Sequence, residues 1–260
     1  SLQYSQIGSA WSDYPWKRLS YWAHLAWRFL LGLDSHPGIL AQKETKKGLI
    51  HCFHLYGFDI DGDMKVGLVY DPIYLEHDTG SHPENSQRLV AIMSHLDESE
   101  TKEKLTCLSP RPASVEELRM VHTPEYIYTV KSKAEKGGGW LDPDTIMCPK
   151  SYEVALYAAG GLLTAVEAVM KGEVSSVVAL VRPPGHHATG NQAMGFCIFN
   201  NVAVAAKFAL ANYNLDRVLI ADFDVHHGNG TQEIFKTSYK VLYFSTHQYP
   251  FYPGTGRIDE

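Results

Sequence analysis

The chain has 260 residues, 45% hydrophobic and 20% charged, the composition of a soluble globular protein with room for one large domain or two small ones. A formal net charge of −6 at pH 7 gives it no strongly basic surface, so direct nucleic-acid binding is not expected. Cys52, Cys107, Cys148 and Cys197 stand far apart with no CxxC pair, which argues against a disulfide framework or a cysteine zinc knuckle. Buried thiols in a reducing compartment are the expectation.

In chain order, the first feature is "YPWKRLSYWAHLAWRFLLGL", Tyr14 to Leu33. His24 and Arg28 interrupt its apolar run, which is too short to span a bilayer and lacks a clean small-residue cleavage site. It reads as an amphipathic helix with a Trp-rich face. The texture changes at Met64, so residues 1–63 form an extension of unassigned role and residues 64–260 the main domain. Apolar runs at Lys65–Asp71, Ser175–Arg182, Arg217–Val225 and Lys240–His247 suit strands buried on both faces, as in a parallel sheet. Helical spacing of apolar residues predicts helices over Glu84–Leu96, Ser151–Met170 and Asn201–Ala211. "KGGGW", Lys136 to Trp140, reads as a local loop. Strands alternating with helices predict an open α/β fold with a mostly parallel sheet, whose chemistry gathers at the carboxyl ends of the strands.

Two such ends carry unusual residues. "VLIADFDVHHGNG", Val218 to Gly230, runs from an apolar strand into aspartates and histidines. Residues two apart in a strand share a face, so Asp222, Asp224 and His226 are expected on one side, with Phe223 and Val225 opposite. A lone DxD is more often a turn or a helix cap. The apolar lead-in and the adjacent His pair make half of a transition-metal site the stronger reading. One strand earlier, "RPPGHHATG", Arg182 to Gly190, places His186 and His187 side by side. Adjacent histidines at a buried strand end are costly unless both find partners, and neutral imidazoles near a metal can move a proton. Phe196, in "MGFCIFNN", could be plain core or the wall of a narrow apolar channel.

Taken together, "RPPGHHA", "MGFCIFN" and "DFDVHHGNGTQ" resemble the zinc-dependent histone deacetylase family, which includes acetylpolyamine amidohydrolases and acetoin-utilisation proteins. Within it the variant is similar to the class II branch. "HPENSQRL", "VHTPEYI", "LDPDT", "AAGG" and "YPGTG" extend the resemblance from Met64 to the end, with Ser86 where proline is more usual. The resemblance implies an arginase/deacetylase-like three-layer α/β fold and zinc-dependent hydrolysis of N-acetyl-lysine or a related acetylated amine, releasing acetate. It implies Asp224 and His226 as two zinc ligands, His186 and His187 as the catalytic pair, Asp222 supporting the first and Asn229 the second. Phe196 would form one tunnel wall with Gly195 beside it, Asp144 would hold the substrate backbone, and Arg88 would lie beside an acetate exit channel. Asp222, Asp224, His226, Ser245 and Thr246 match an inner monovalent-cation site, and Phe235, Ser238 and Val241 an outer one, with K+ the implied ion. The resemblance further implies an acetylated protein or small amine as partner, and an intracellular location, cytoplasmic or, in a eukaryote, nuclear.

In the family, the third zinc ligand is an aspartate well past the "GTG" loop, followed later by an oxyanion-stabilising tyrosine. Neither has an identifiable counterpart before Glu260. The chain therefore reads as the N-terminal portion of a deacetylase, or as a truncated relative serving as a binding or scaffold module. The expectation is little deacetylase activity from these 260 residues alone. An arginase-like ureohydrolase is the more distant alternative; its "DAHxD" pattern is missing, since "VHHGN" follows Asp224.

Overall fold

The computed structural model describes residues 65–260. The Tyr14–Leu33 segment, the boundary before Met64 and Cys52 lie outside the described residues. The elements run β1 (Val66–Val69), α1 (Gln87–Asp97), β2 (Leu105–Leu108), α2 (Val115–Leu118), α3 (Pro124–Glu135), β3 (Gly139–Asp142), β4 (Thr145–Met147), α4 (Ser151–Met170), β5 (Ser176–Ala179), α5 (Asn201–Asn212), β6 (Val218–Asp222), α6 (Asn229–Phe235) and β7 (Val241–Ser245).

The architecture is α/β with parallel pairing, as the sequence predicts. β1 lies between β2 and β5 in one parallel sheet, and β6 pairs with β7 in a second parallel unit. The register Asp222↔Ser245 ends β6 and β7 together, so their carboxyl ends share one rim. β3 and β4 form an antiparallel pair, so the loop expected over Lys136–Trp140 ends in a strand from Gly139 onward. β2 was missed too: "LTCL" is four residues long and half exposed, and only its pairing with β1 marks it as a strand.

Local signals set the helix starts. Ser114 and Glu117 form a reciprocal capping box on α2, Thr123 caps α3 ahead of Pro124, and the Asn200 side chain accepts from the Ala203 N–H to open α5. The long α4 is apolar and long enough by composition to cross a bilayer, but Val154, Ala155, Ala158, Ala159 and Leu163 are buried in the core. Its "AAGG" has a packing cause. A Cβ on Gly160 would lie 1.9 Å from the Arg111 carbonyl oxygen, so α4 approaches the 111–113 strap as closely as backbone allows. The main core joins α2, α3, α4 and α5 through Leu118, Ile127, Val130, Leu163 and Val204, with Ile198 and Phe199 from the segment before α5, all at most 3% exposed.

Two expectations need correction. The apolar runs at β6 and β7 are not buried on both faces. Ile220 and Val241 are buried, but Leu219, Leu242 and Phe244 are exposed, because no described element covers that side. The thiols also differ from expectation: Cys197 is buried, but Cys107 on the edge strand β2 is exposed and Cys148 half-buried.

His122 and His77 are buried neutral histidines whose burial couples stability to pH. His122 Nε2 accepts the Asn200 N–H at 2.9 Å, and burial pushes its pKa down to about 4. His77 bonds Ser151 Oγ at 2.7 Å, and burial with the nearby Arg182 charge pushes it down to about 3. Below pH 6.5 the unfolded chain binds protons at these rings and the folded chain does not, so stability falls with acidification. Between pH 7 and 5 each ring is expected to withdraw about 2 kcal/mol, with a plateau above neutrality. Urea unfolding at pH 7, 6 and 5 checks this; a midpoint unchanged down to pH 5 contradicts it.

Candidate active site

The segment between β5 and α5 carries the histidine pair. Its conformation is tied down at several points. Asn201 Nδ2 donates to the Pro183 carbonyl at 3.0 Å, Asn200 Nδ2 to that of Ala188 at 3.0 Å, and the Thr231 N–H to that of His186 at 3.1 Å. Beneath it Arg182 is fully buried, donating to Glu84 Oε1 at 2.7 Å, to Thr79 Oγ1 at 3.0 Å and to the carbonyls of Tyr74 and His77. One guanidinium thus pins the 74–84 segment to the histidine loop.

The second segment follows β6. The strand stops at Asp222, earlier than alternation through His226 suggested. Beyond it Asp222 Oδ1 accepts the Asp224 N–H at 3.1 Å and Asp224 Oδ1 accepts the His226 N–H at 2.7 Å. These side-chain turns bend the chain because a carboxylate two residues back competes with strand pairing. Phe223 and Val225 still point outward, exposed, opposite the chemistry.

The two segments meet. The His186 and His187 rings lie against each other, centroids 4.0 Å apart and tilted by 49°. Asp222 Oδ2 accepts from His186 Nδ1 at 2.9 Å and from the Tyr243 hydroxyl at 3.0 Å. Burial is the largest single influence on the Asp222 carboxylate and works against its charge, but the His186 hydrogen bond and charge, with the Asp224 N–H and the Tyr243 hydroxyl, together hold the group below its ordinary pKa. Asn229 Oδ1 accepts from His187 Nδ1 at 2.8 Å, fixing a tautomer in which Nε2 is the free base. Burial, reinforced by the neighbouring His186, pushes His187 down to about 4, so its ring is neutral at pH 7. The pair thus has unlike partners, a carboxylate for one ring and an amide for the other.

Asp224 and His226 lie at the open side. Asp224 Oδ1 is 3.3 Å from His226 Nδ1 and 3.9 Å from His186 Nε2, and both side chains are about half exposed. Among the described residues no group of three His, Cys, Asp or Glu side chains is gathered to hold a metal.

The remaining expected residues fall as follows. Asp144 Oδ1 accepts the Gly195 N–H at 3.2 Å, and burial with the Asp142 carboxylate raises its pKa. Phe196 has φ 71°, a strained left-handed backbone for a bulky residue, held by its N–H to Thr145 Oγ1 at 3.1 Å. Arg88 reaches only Glu84, at 3.8 Å, and is half exposed. Ser245 sits in register with Asp222, and the Thr246 N–H donates to the Asp222 carbonyl at 3.0 Å. Phe235, Ser238 and Val241 gather at the turn into β7, where the Ser238 N–H donates to the Phe235 carbonyl and the Val241 N–H approaches Ser238 Oγ at 3.3 Å.

Sequence reading missed three residues here. The Tyr252 ring meets His187 edge-on at 5.0 Å and His226 at 6.0 Å. His82 packs its ring edge-on against Phe196 at 4.7 Å. Tyr243 shares Asp222 with His186. Tyr252 and His82 stand inside quoted motifs, "YPGTG" and "HPENSQRL", but nothing in either motif says which ring faces the site.

The model of the histone deacetylase domain matches residues 82–260. A probable deacetylase of Methanothermobacter thermautotrophicus is 43% identical over 74% of this chain and 58% of its own length. A histone deacetylase-like amidohydrolase of Pseudomonas aeruginosa is 42% identical over 75% of this chain and 51% of its own. Among solved structures, the HD domain of HDA15 superposes with a TM-score of 0.71 at 40% identity, covering 74% of this chain and 58% of that one. The chain thus spans between half and two thirds of the length of these relatives. By the match over residues 82–260, the relatives above 40% identity and the shared fold, the chain belongs to the histone deacetylase domain family.

Proposed function

We propose that this chain carries the proton-transfer half of a zinc-dependent deacetylase that hydrolyses the amide of an N-acetyl-lysine or a related acetylated amine. The observation that carries the reading is the adjacent pair His186–His187 with unlike partners, Asp222 and Asn229, facing Asp224 and His226. One carboxylate and one imidazole are the donor types zinc accepts, so Asp224 and His226 would hold the ion. When bound, zinc polarises an acyl carbonyl and lowers the pKa of water.

The residues themselves divide the proton work. His187, neutral and with Nε2 free, accepts a proton from the attacking water. His186, its Nδ1 held by Asp222, is oriented to return a proton to the departing amine. Phe196, Tyr252 and His82 line the approach with aromatic edges, and Asp144 offers a carboxylate at its rim. The rat polyamine deacetylase HDAC10, 44% identical over 64% of this chain, supports an acetylated amine as substrate class. The reading includes K+ as a structural ion near Ser245 and Thr246, and an intracellular compartment, supported by free thiols at Cys107, Cys148 and Cys197.

Metal loading tests the site independently of turnover. A catalytic zinc takes three protein ligands, and two are gathered here. Zinc is therefore expected to bind weakly in competition with a chromogenic chelator, and Asp224→Asn and His226→Asn are each expected to abolish that binding. Acetate release from an acetyl-lysine peptide is expected to be low, to rise with added zinc and to vanish with chelator. Zinc binding indifferent to both substitutions would overturn the assignment.

A further inference from the structure

His227 and His247, neither used by the mechanism above, meet where the loop that follows β7 closes. That loop, residues 246–256, carries Tyr252 to the histidine pair. Its first part is tied by the Gln248 N–H to the Val225 carbonyl at 2.8 Å. Its far end closes onto the two histidines. Buried His227 bonds Thr255 Oγ1 through Nδ1 at 2.8 Å and Gln232 Oε1 through Nε2 at 2.5 Å. His247 bonds the Gly256 carbonyl through Nε2 at 2.9 Å and Ser245 Oγ through Nδ1 at 2.8 Å. A carbonyl only accepts, so His247 Nε2 carries the proton and Nδ1 takes the Ser245 hydroxyl. The two rings lie 4.6 Å apart, tilted by 45°.

The fit at Gly256 shows how closely the loop is seated. Its φ is +84°, and a Cβ there would stand 2.2 Å from His247 Nε2 and 2.7 Å from His227 Cγ. Glycine is needed both for the left-handed backbone and for the approach. Each ring therefore has both nitrogens occupied, and one nitrogen of each goes to the loop's end.

We infer that His227 and His247 are positioning residues: with Thr255 and Gly256 they close the 246–256 loop so that Tyr252 stands against His187 and holds that imidazole in orientation. The catalytic consequence rests on the function proposed above; the seating of the loop does not. The histidines touch neither the His186–His187 pair nor the zinc-donor atoms through a hydrogen bond, and act through Tyr252.

Two measurements on the full chain read the loop without turnover. Chymotrypsin cuts after aromatic residues that proline does not follow, and the Phe251–Tyr252 bond lies in the loop, so cleavage there follows the opened population. Thr255→Val, nearly isosteric, and His247→Ala are each expected to raise cleavage after Phe251 about five- to tenfold, as loss of one hydrogen bond dictates. Thr255→Ser and His247→Gln, which keep a donor in place, are expected to restore protection. In NMR spectra, Thr255→Val is expected to move the His187 ring resonances in the same direction as Tyr252→Leu does. Equal loop cleavage in wild type and Thr255→Val, failure of both conservative variants to restore protection, or unmoved His187 resonances would each overturn the inference. Thr255→Val keeps the test open should His247→Ala not fold. A wild-type chain without zinc-dependent acetate release would count against the functional reading and leave these results standing.

Discussion

Arg182→Met is expected to destabilise the domain by about 3–5 kcal/mol, the range for breaking a buried ion pair from one side. Arg182 has no solvent exposure, and its guanidinium serves Glu84, Thr79 and the carbonyls of Tyr74 and His77. Methionine fills much of the space but leaves Glu84, 9% exposed, as an unpaired buried charge. Glu84 Oε2 already lacks a hydrogen-bond partner, so the carboxylate has no alternative to fall back on. Its remaining cationic neighbour, Arg88, stands 3.8 Å away on an exposed side chain and contributes little. The double variant Arg182→Met/Glu84→Met removes both charges and is expected to recover a large part of the loss. Urea unfolding of the two variants and wild type decides it. A loss below about 1 kcal/mol in the single variant would show that the charge is not anchored as described.

His187→Asn is expected to lower zinc-dependent turnover about 10²–10⁴-fold, the range for removing a positioned general base. Asparagine keeps a polar group but has no ring nitrogen that can take a proton. The Asn229 bond and burial keep His187 neutral and uncommitted, while His186 is already engaged by Asp222. The two positions should therefore respond differently to the leaving group. With an aromatic amine, which departs without full protonation, the loss at His186→Asn is expected to shrink and that at His187→Asn to persist. Similar small losses at both positions, on both substrates, would refute this division of labour.

Much of this site could be read from the sequence because its signals are local. "DFDVHH" places two carboxylates and an imidazole at fixed spacing behind an apolar strand, and "GHH" places two imidazoles on a proline-constrained loop. Each is a property of a few consecutive residues and survives any packing that keeps the strand end. The helices α4 and α5 were legible for the same reason, since an apolar stripe is written within one element. The antiparallel pair β3–β4 was not, because glycines and an Asp-Pro-Asp stretch spell turn chemistry while the pairing of Gly139 with Met147 closes across it.

What the sequence determined by itself is the kind of chemistry and the strand ends that carry it: an α/β domain with His186, His187, Asp222, Asp224 and His226 at the carboxyl ends of two strands. What only the tertiary structure decided is how those groups are partnered. Asn229 bonds His187 across 42 positions, Arg182 bonds Glu84 across 98, and Tyr252 arrives at His187 from beyond the next strand. Spacing along the chain sets which donors share a local backbone. Hydrogen bonds between distant segments form only once the core has packed them together, and they decide which imidazole is free to take a proton.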